Sequence, residues 1–292
     1  MHLLLGILLP YEYHLALNLL CLYILLMIVL ESITSNYTVF LFVFSLPLCV
    51  GLAILVKKES EDYFLTTLLL CVLGIVYFCM AGLRQAIAIG FCLISYKFVK
   101  ERKLIPFLIC ILLAYGFHNS SLVFILAYPL YKSKTNSFYF VFVAICFILG
   151  YIKSGIINSL GFLLTKDSAF EVYFNEKSGG LNYTAYIIQL AMTVFCFLYK
   201  EKICEENENA GFLFNMSLIG LCVQGFAGVV SEFFRLSMYF SIFLAVLVPK
   251  AIMAEKNDQV KWLEFFIIIA VCFYYIFFLN DEAASYMMLW SK

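Results

Sequence analysis

Three residues carry the chemistry that this sequence could do. They are Arg84 in the stretch GLRQAIAIG (82–90), His118 in HNSS (118–121) and Arg235 at the end of SEFFR (231–235). A cation inside a long apolar tract is costly, about 2.5 kcal/mol or more for a central Arg, and such groups are functional candidates by default. A guanidinium presents a planar fork of donors that matches phosphate or carboxylate oxygens. Neutral His can take a proton from a hydroxyl or orient it. Side chains able to complete an anion site lie close in sequence: Gln85, Asn119, Ser120, Glu232 and Tyr239. Each main residue also has a plainer reading. Arg84 can snorkel or pair with a structural carboxylate. Arg235 can pair with Glu232 at i−3, and His118 can be a hydrogen-bonded residue at a helix break.

The elements that hold these residues follow from composition. Of 292 residues, 64% are apolar and 13% charged, and mean hydropathy is +0.98. Apolar runs of bilayer length recur throughout, which predicts an all-α, polytopic helical membrane protein of about 10–11 transmembrane segments, folded as one membrane domain over 1–292. Candidate spans are 15–30, 37–56, 63–81, 84–99, 104–117, 119–131, 137–152, 183–199, 211–230, 234–250 and 262–279. The pieces 104–117 and 119–131 are short and read as a tilted or broken hairpin meeting at His118. Residues 1–30 also read as an interfacial or re-entrant segment. No cleavable signal peptide is expected. A net charge of zero argues against nucleic acid as a partner. Ten of the eleven cysteines lie in apolar runs and read as free packing residues, with Cys204 in a polar loop. No metal-ligand spacing, Walker loop, GxSxG or HExxH is present, so no metal or nucleotide cofactor is expected.

Charge then orients the chain. Every second loop is basic: Lys57 and Lys58; Lys97, Lys100, Arg102 and Lys103; Lys132 and Lys134; Lys200 and Lys202; Lys250, Lys256 and Lys261. The positive-inside rule puts these on the cytoplasmic side. Arg84, His118, Arg235 and the loop 153–182 then face outward. Each of the three residues starts a helix whose unpaired N–H groups and positive dipole end point the same way, an arrangement that favours anions. Gly82, Ala86 and Gly90 form a small-residue stripe for close packing, with Arg84, Ala88 and Ser95 roughly opposite, toward a cavity. Arg235 and Tyr239, four apart, share a face.

The stretch Met80 to Tyr131, MAGLRQAIAIGFCLISYKFVKERKLIPFLICILLAYGFHNSSLVFILAYPLY, resembles the signature region of EpsG-family membrane proteins, which are similar to Wzy-type O-antigen and exopolysaccharide polymerases. The shared pattern is an RQ-x-A element, matched nearly by Arg84, Gln85, Ile87 and Ala88. A basic loop follows, then A-x-x-FH-x-S from Ala114 through His118 to Ser120. Arg235, Tyr239 and Pro249 resemble a later R-x-x-x-Y helix ending in proline. The family's acidic GTD-like outer motif is not found, and PYEYH (Pro10–His14) resembles the outer segment that normally follows it, as in a shortened member.

The resemblance implies a GT-C-like, metal-independent, inverting glycosyltransferase of the bacterial inner membrane. Its substrate would be an undecaprenyl diphosphate-linked oligosaccharide among membrane lipids, with a chain-length regulator as a possible partner. It implies His118, Arg84 and Arg235 as catalytic residues, supported by Gln85, Asn119, Ser120, Glu232 and Tyr239. Two other classes fit the same features: a flippase or transporter of lipid-linked glycans, and a glycan ligase or acyltransferase. A flippase needs cavity charges reachable from both faces.

Overall fold

The computed structural model describes residues 26–32, 34, 36–152, 183–207, 210–227 and 232–279. Every regular element among them is helical. In chain order, after a helical stretch over 26–32, they are α1 (Tyr37–Glu59), α2 (Tyr63–Val72), α3 (Ile75–Ala81), α4 (Leu83–Lys100), α5 (Leu104–Phe117), a 3₁₀ helix (Asn119–Leu126) and α6 (Ala127–Leu130). Then come α7 (Tyr139–Ile152), α8 (Thr184–Leu198), α9 (Lys200–Glu206), α10 (Ala210–Gln224), α11 (Glu232–Ser241), α12 (Leu244–Met253), α13 (Asp258–Tyr274) and a π turn (Tyr275–Leu279). Most of the 15–30 span and the whole 153–182 loop lie outside the described residues.

Many of these helices are apolar on every side. On α5, Phe107, Ile111, Ala114 and Phe117 are buried at helical spacing, while Leu108, Ile109, Leu112 and Leu113 stay exposed. A soluble helix would place polar residues there. The fold is that of an all-α, polytopic membrane protein. Among the described residues two helices are long and apolar enough to cross a membrane, Tyr37–Glu59 and Asp258–Phe278. The pair Phe233–Ser241 and Leu244–Met253, bent by 41°, makes a third if it is one span, and six shorter apolar helices accompany them.

Two of the expected continuous spans are broken. The 63–81 run divides at Gly74, which takes φ 75° and ends α2. Only glycine adopts this left-handed conformation without penalty. The 234–250 run bends between Ser241 and Leu244, with neither glycine nor proline at the break. Pro249, in contrast, lies within α12 and does not end it.

Contacts divide the chain into two compact units, one within 1–55 and 79–125, the other within 56–78 and 126–292. In the first, α4 and α5 form a hairpin. Lys97 and Lys100 stand in the last turn of α4, where cations complement the dipole. Arg102 follows at φ 56°. Arg102 N–H donates to Val99 C=O at 3.2 Å and Lys103 N–H to Phe98 C=O at 2.9 Å, the paired bonds of a Schellman stop with arginine where glycine is usual. Pro106, in the first turn of α5, lacks an N–H that would have had no helical acceptor anyway. Stacked rings of Phe91 and Phe117, 5.8 Å apart, fix the hairpin's register.

In the second unit α10 and α12 are buried on nearly every side. Gly220 sits so close to α11 that an added Cβ would stand 2.9 Å from Ser241 N. Ser237 Oγ donates to Gln224 Oε1 at 2.6 Å across the same contact. Asn215 holds the loop before α7, donating to Ser133 C=O at 2.9 Å and accepting from Thr135 Oγ1 at 2.9 Å. Nine described cysteines are free thiols, and Cys204 is half-buried.

Lys250 corrects its reading as a loop cation. It lies in the last turn of α12, 8% exposed, with Nζ 3.0 Å from Glu61 and 4.0 Å from the buried Glu59.

Candidate functional site

Arg84 occupies the first turn of α4, two residues after Gly82, which as N-cap has no side chain to bond the helix's first N–H groups. Arg84 is exposed, whereas Gln85, immediately after it, is 2% exposed. The helix itself is pinned close to α1. A Cβ on Gly90 would collide with the backbone of Pro47, and would meet Leu48 N at 2.5 Å; one on Gly51 would meet Gly90 O at 2.6 Å. The small-residue side of α4 therefore docks as its spacing suggests. The far side does not open as expected: Ala88 and Ser95 are both 0% exposed, and Ser95 Oγ donates to Cys92 C=O at 2.6 Å. From Gln85 to Gly90 α4 is buried, and Arg84 is the exposed residue of its first turn.

His118 lies at the same end of the hairpin. Arg84 stands seven residues beyond Phe91, about 10 Å along the axis at 1.5 Å per residue, and His118 directly follows Phe117. His118 ends α5 with extended backbone, φ −153° and ψ 123°, and its N–H donates to Ala114 C=O at 3.0 Å. It then opens the next helix, its carbonyl accepting from Ser121 N–H at 3.1 Å. Its Nδ1 lies 2.6 Å from Ser120 Oγ, and Ser120 N–H donates to the same Nδ1 at 3.4 Å. An imidazole thus fills the N-cap role usually held by Ser, Thr, Asp or Asn. His118 and Ser120 are half-buried, and Asn119 is exposed.

The helix that His118 caps is 3₁₀ over eight residues, where an α-helix was expected. Runs this long are uncommon. The sequence explains it: Ser121, Phe124 and Ala127, three apart, are all 0% exposed, while Leu122 and Ile125, also three apart, are 39% and 42% exposed. A three-residue turn lines up positions i and i+3. At the start of this stripe Ser121 lies against α4, with Cys92 Sγ 4.0 Å from Ser121 C=O.

Arg235 belongs to the second unit, in the first turns of α11, and is exposed. Its guanidinium lies 5.5 Å over the ring of Phe78, a partner that sequence spacing did not suggest. Phe78 meets Phe234 edge to face at 6.2 Å, and an added Cβ on Gly74 would stand 3.6 Å from Phe234. The left-handed break after α2 thus lies beside the aromatic platform under Arg235. Tyr239 is 1% exposed, so it sits in the core one turn deeper rather than beside Arg235 at the surface. Glu232 opens α11; its side chain, like Ser231, lies outside the described residues.

Arg84, Gln85, His118, Asn119 and Ser120 thus belong to one unit, and Glu232, Arg235 and Tyr239 to the other. Chemically, the first group offers a guanidinium fork, uncapped helix N–H groups and an imidazole. That set can bind an anionic oxygen and hold a hydroxyl near it. Among the described residues no group of three or more His, Cys, Asp or Glu could hold a metal ion.

Residues 9–290 match the family model described as the EpsG family. No curated protein and no solved structure matches the chain.

Proposed function

The chain belongs to the EpsG family, a family of Wzy-like polymerases, and from that membership we propose a polysaccharide polymerase that joins polyprenyl diphosphate-linked oligosaccharide units at the periplasmic face of a bacterial inner membrane. A hydroxyl of one lipid-linked unit attacks the anomeric carbon of the reducing-end sugar of another. The bond from that carbon to the phosphate oxygen breaks with inversion, and polyprenyl diphosphate leaves with the electron pair. Arg84 binds phosphate oxygens and stabilises the charge that grows as the bond breaks, and Arg235, in the other unit, is a second guanidinium suited to that role. His118 orients the acceptor hydroxyl and takes its proton as the new bond forms. Gln85, Asn119, Ser120 and Glu232 support these groups, and Tyr239 underlies Arg235 from the core. Guanidinium charge takes the place of a divalent cation. A chain-length regulator is the proposed partner.

The observation that supports this reading best is Arg84 itself: exposed, in the first turn of a helix whose N-cap residue has no side chain. The experiment is polymer formation by purified protein in lipid bilayers supplied with lipid-linked repeat units. A ladder of products is expected, unchanged by EDTA. Absence of any product longer than one unit overturns the polymerase reading. Transfer of intact units across the bilayer instead would establish a flippase.

A further inference from the structure

We propose that the basic turn joining α4 to α5 is a docking surface for anionic phospholipid, whose phosphate headgroups it gathers at the membrane surface. The turn lies at the end of the hairpin away from Arg84 and His118, and its binding of lipid does not depend on the polymerase reading.

The sequence supplies the charge and the turn concentrates it. KFVKERK (97–103) has four cations against one carboxylate. The stop made by the N–H groups of Arg102 and Lys103 reverses the chain after Lys100. Lys97 and Lys103, from either side of that reversal, then meet the same side chain: Glu101 lies 3.9 Å from Lys97 Nζ and 2.9 Å from Lys103 Nζ. One carboxylate does not neutralise four cations. Lys97, Arg102 and Lys103 are exposed. Exposed ion pairs contribute little, so the two ammonium groups can exchange Glu101 for a phosphate oxygen at small cost.

What lies beside the charge decides which phosphate it takes. Leu104, Ile105, Leu108 and Ile109 are exposed on α5 directly after the last cation. On a membrane helix such a face meets acyl chains. The cations therefore stand where chains end and headgroups begin, and one phospholipid can lay its phosphate on the turn and its tail along α5. Basic clusters beside a span are the pattern that draws anionic lipid. Two other basic loops lack the excess. Lys57 and Lys58 run into Glu59, Glu61 and Asp62, and Lys200 and Lys202 are interleaved with Glu201, Glu205 and Glu206.

The test uses the full chain in bilayers of phosphatidylcholine, with and without phosphatidylglycerol, and reads the melting temperature. Phosphatidylglycerol should raise it for the unaltered protein, and added salt should shrink the rise, because exposed charge is screened. Each cation near an anionic surface strengthens the attraction roughly fivefold. Lys97→Gln together with Lys103→Gln should therefore lose most of the rise. Lys57→Gln together with Lys58→Gln should keep it. Native mass spectrometry should find phosphatidylglycerol retained on the unaltered protein and depleted from the Lys97, Lys103 variant.

Each variant is compared with itself in the two bilayers, so a change in its own stability cancels. No rise for the unaltered protein overturns the proposal, and so does an undiminished rise in the Lys97, Lys103 variant. Equal loss in the two lysine pairs would show that basic charge at any loop suffices, and would overturn the assignment to this turn. A rise from inorganic phosphate in phosphatidylcholine bilayers as large as that from phosphatidylglycerol would assign the turn to a free anion and overturn the lipid.

Discussion

Lys250 and Arg84 are both cations on apolar helices, and the fold treats them in opposite ways. Lys250 stands in the last turn of α12, buried, with its ammonium against two carboxylates. Its sign suits the C-terminal end of a helix dipole. Arg84 stands in the first turn of α4, exposed, at the end where a cation and the dipole repel. One arrangement lowers the energy of the protein alone. The other gains nothing from the dipole of its own helix. The comparison separates a charge the fold needs from one it merely carries, and substitutions can break it.

The largest effect on folding should come from Lys250→Met. It leaves the Glu59 carboxylate buried without that cation, which costs on the order of 3–5 kcal/mol when one member of a buried pair is removed. Thermal unfolding in detergent should show it, and Lys250→Met with Glu59→Gln should recover much of the loss. Arg84→Met should leave stability within about 0.5 kcal/mol, as surface changes do. If Arg84→Met unfolds the protein as badly as Lys250→Met, the distinction fails.

Gly90→Ala comes next. Its Cβ meets backbone atoms of Pro47 and Leu48, which cannot swing aside, so overpacking of about 1–3 kcal/mol is expected. Gly211 is the contrast, since its nearest neighbours lie at an ordinary 3.5 Å and Ala there should be tolerated. Equal losses would show that helix propensity rather than close approach decides both.

A smaller effect belongs to the platform under Arg235. Phe78→Leu keeps bulk and removes the ring face, for a loss of about 0.5–1 kcal/mol at an exposed cation–π contact. Comparing Phe78→Leu in the presence of Arg235 and of Arg235→Ala isolates the pair by a double-mutant cycle. Additivity in that cycle would leave the contact without energetic weight.

The smallest effect is at Glu255. The Asn257 N–H, 2.9 Å from one carboxylate oxygen, holds its carboxyl below the usual range, with Lys202 at 3.4 Å adding to this. A carboxyl lowered in the folded state stabilises above its unfolded value, about pH 4.3, and loses that contribution as pH falls through the folded value. The melting difference between the unaltered protein and Glu255→Gln should favour the former at neutral pH and close in acid. A difference that grows in acid contradicts the sign.

Local signals in the sequence were readable, and long-range ones were not. The bounds of α5 follow from Lys103 before it and His118 after it, because the run between is unbroken and apolar. The break at Gly74 was visible as a glycine inside a run, but whether it would turn left-handed depends on what packs there. The 3₁₀ helix had its own signature in Ser121, Phe124 and Ala127, hidden because a three-residue spacing also fits an α-helix face. The bend between Ser241 and Leu244 has no local mark. Lys250 looked like a loop cation because its partner Glu61 is 189 residues away. For the same reason the ring under Arg235 could not be named. Arg84 was legible because a guanidinium in an apolar tract is conspicuous whatever the fold does around it.

The central claim is that Arg84 serves the leaving diphosphate and not the fold. Its most direct test is the rate of polymer formation from lipid-linked repeat units by purified protein in bilayers, measured for the unaltered chain and for Arg84→Ala at matched thermal stability. Loss of one transition-state donor predicts a fall in rate of roughly 10²–10³ with no change in melting temperature. A near-normal product ladder from Arg84→Ala would contradict the account and leave Arg84 as a cation that only snorkels to the membrane surface.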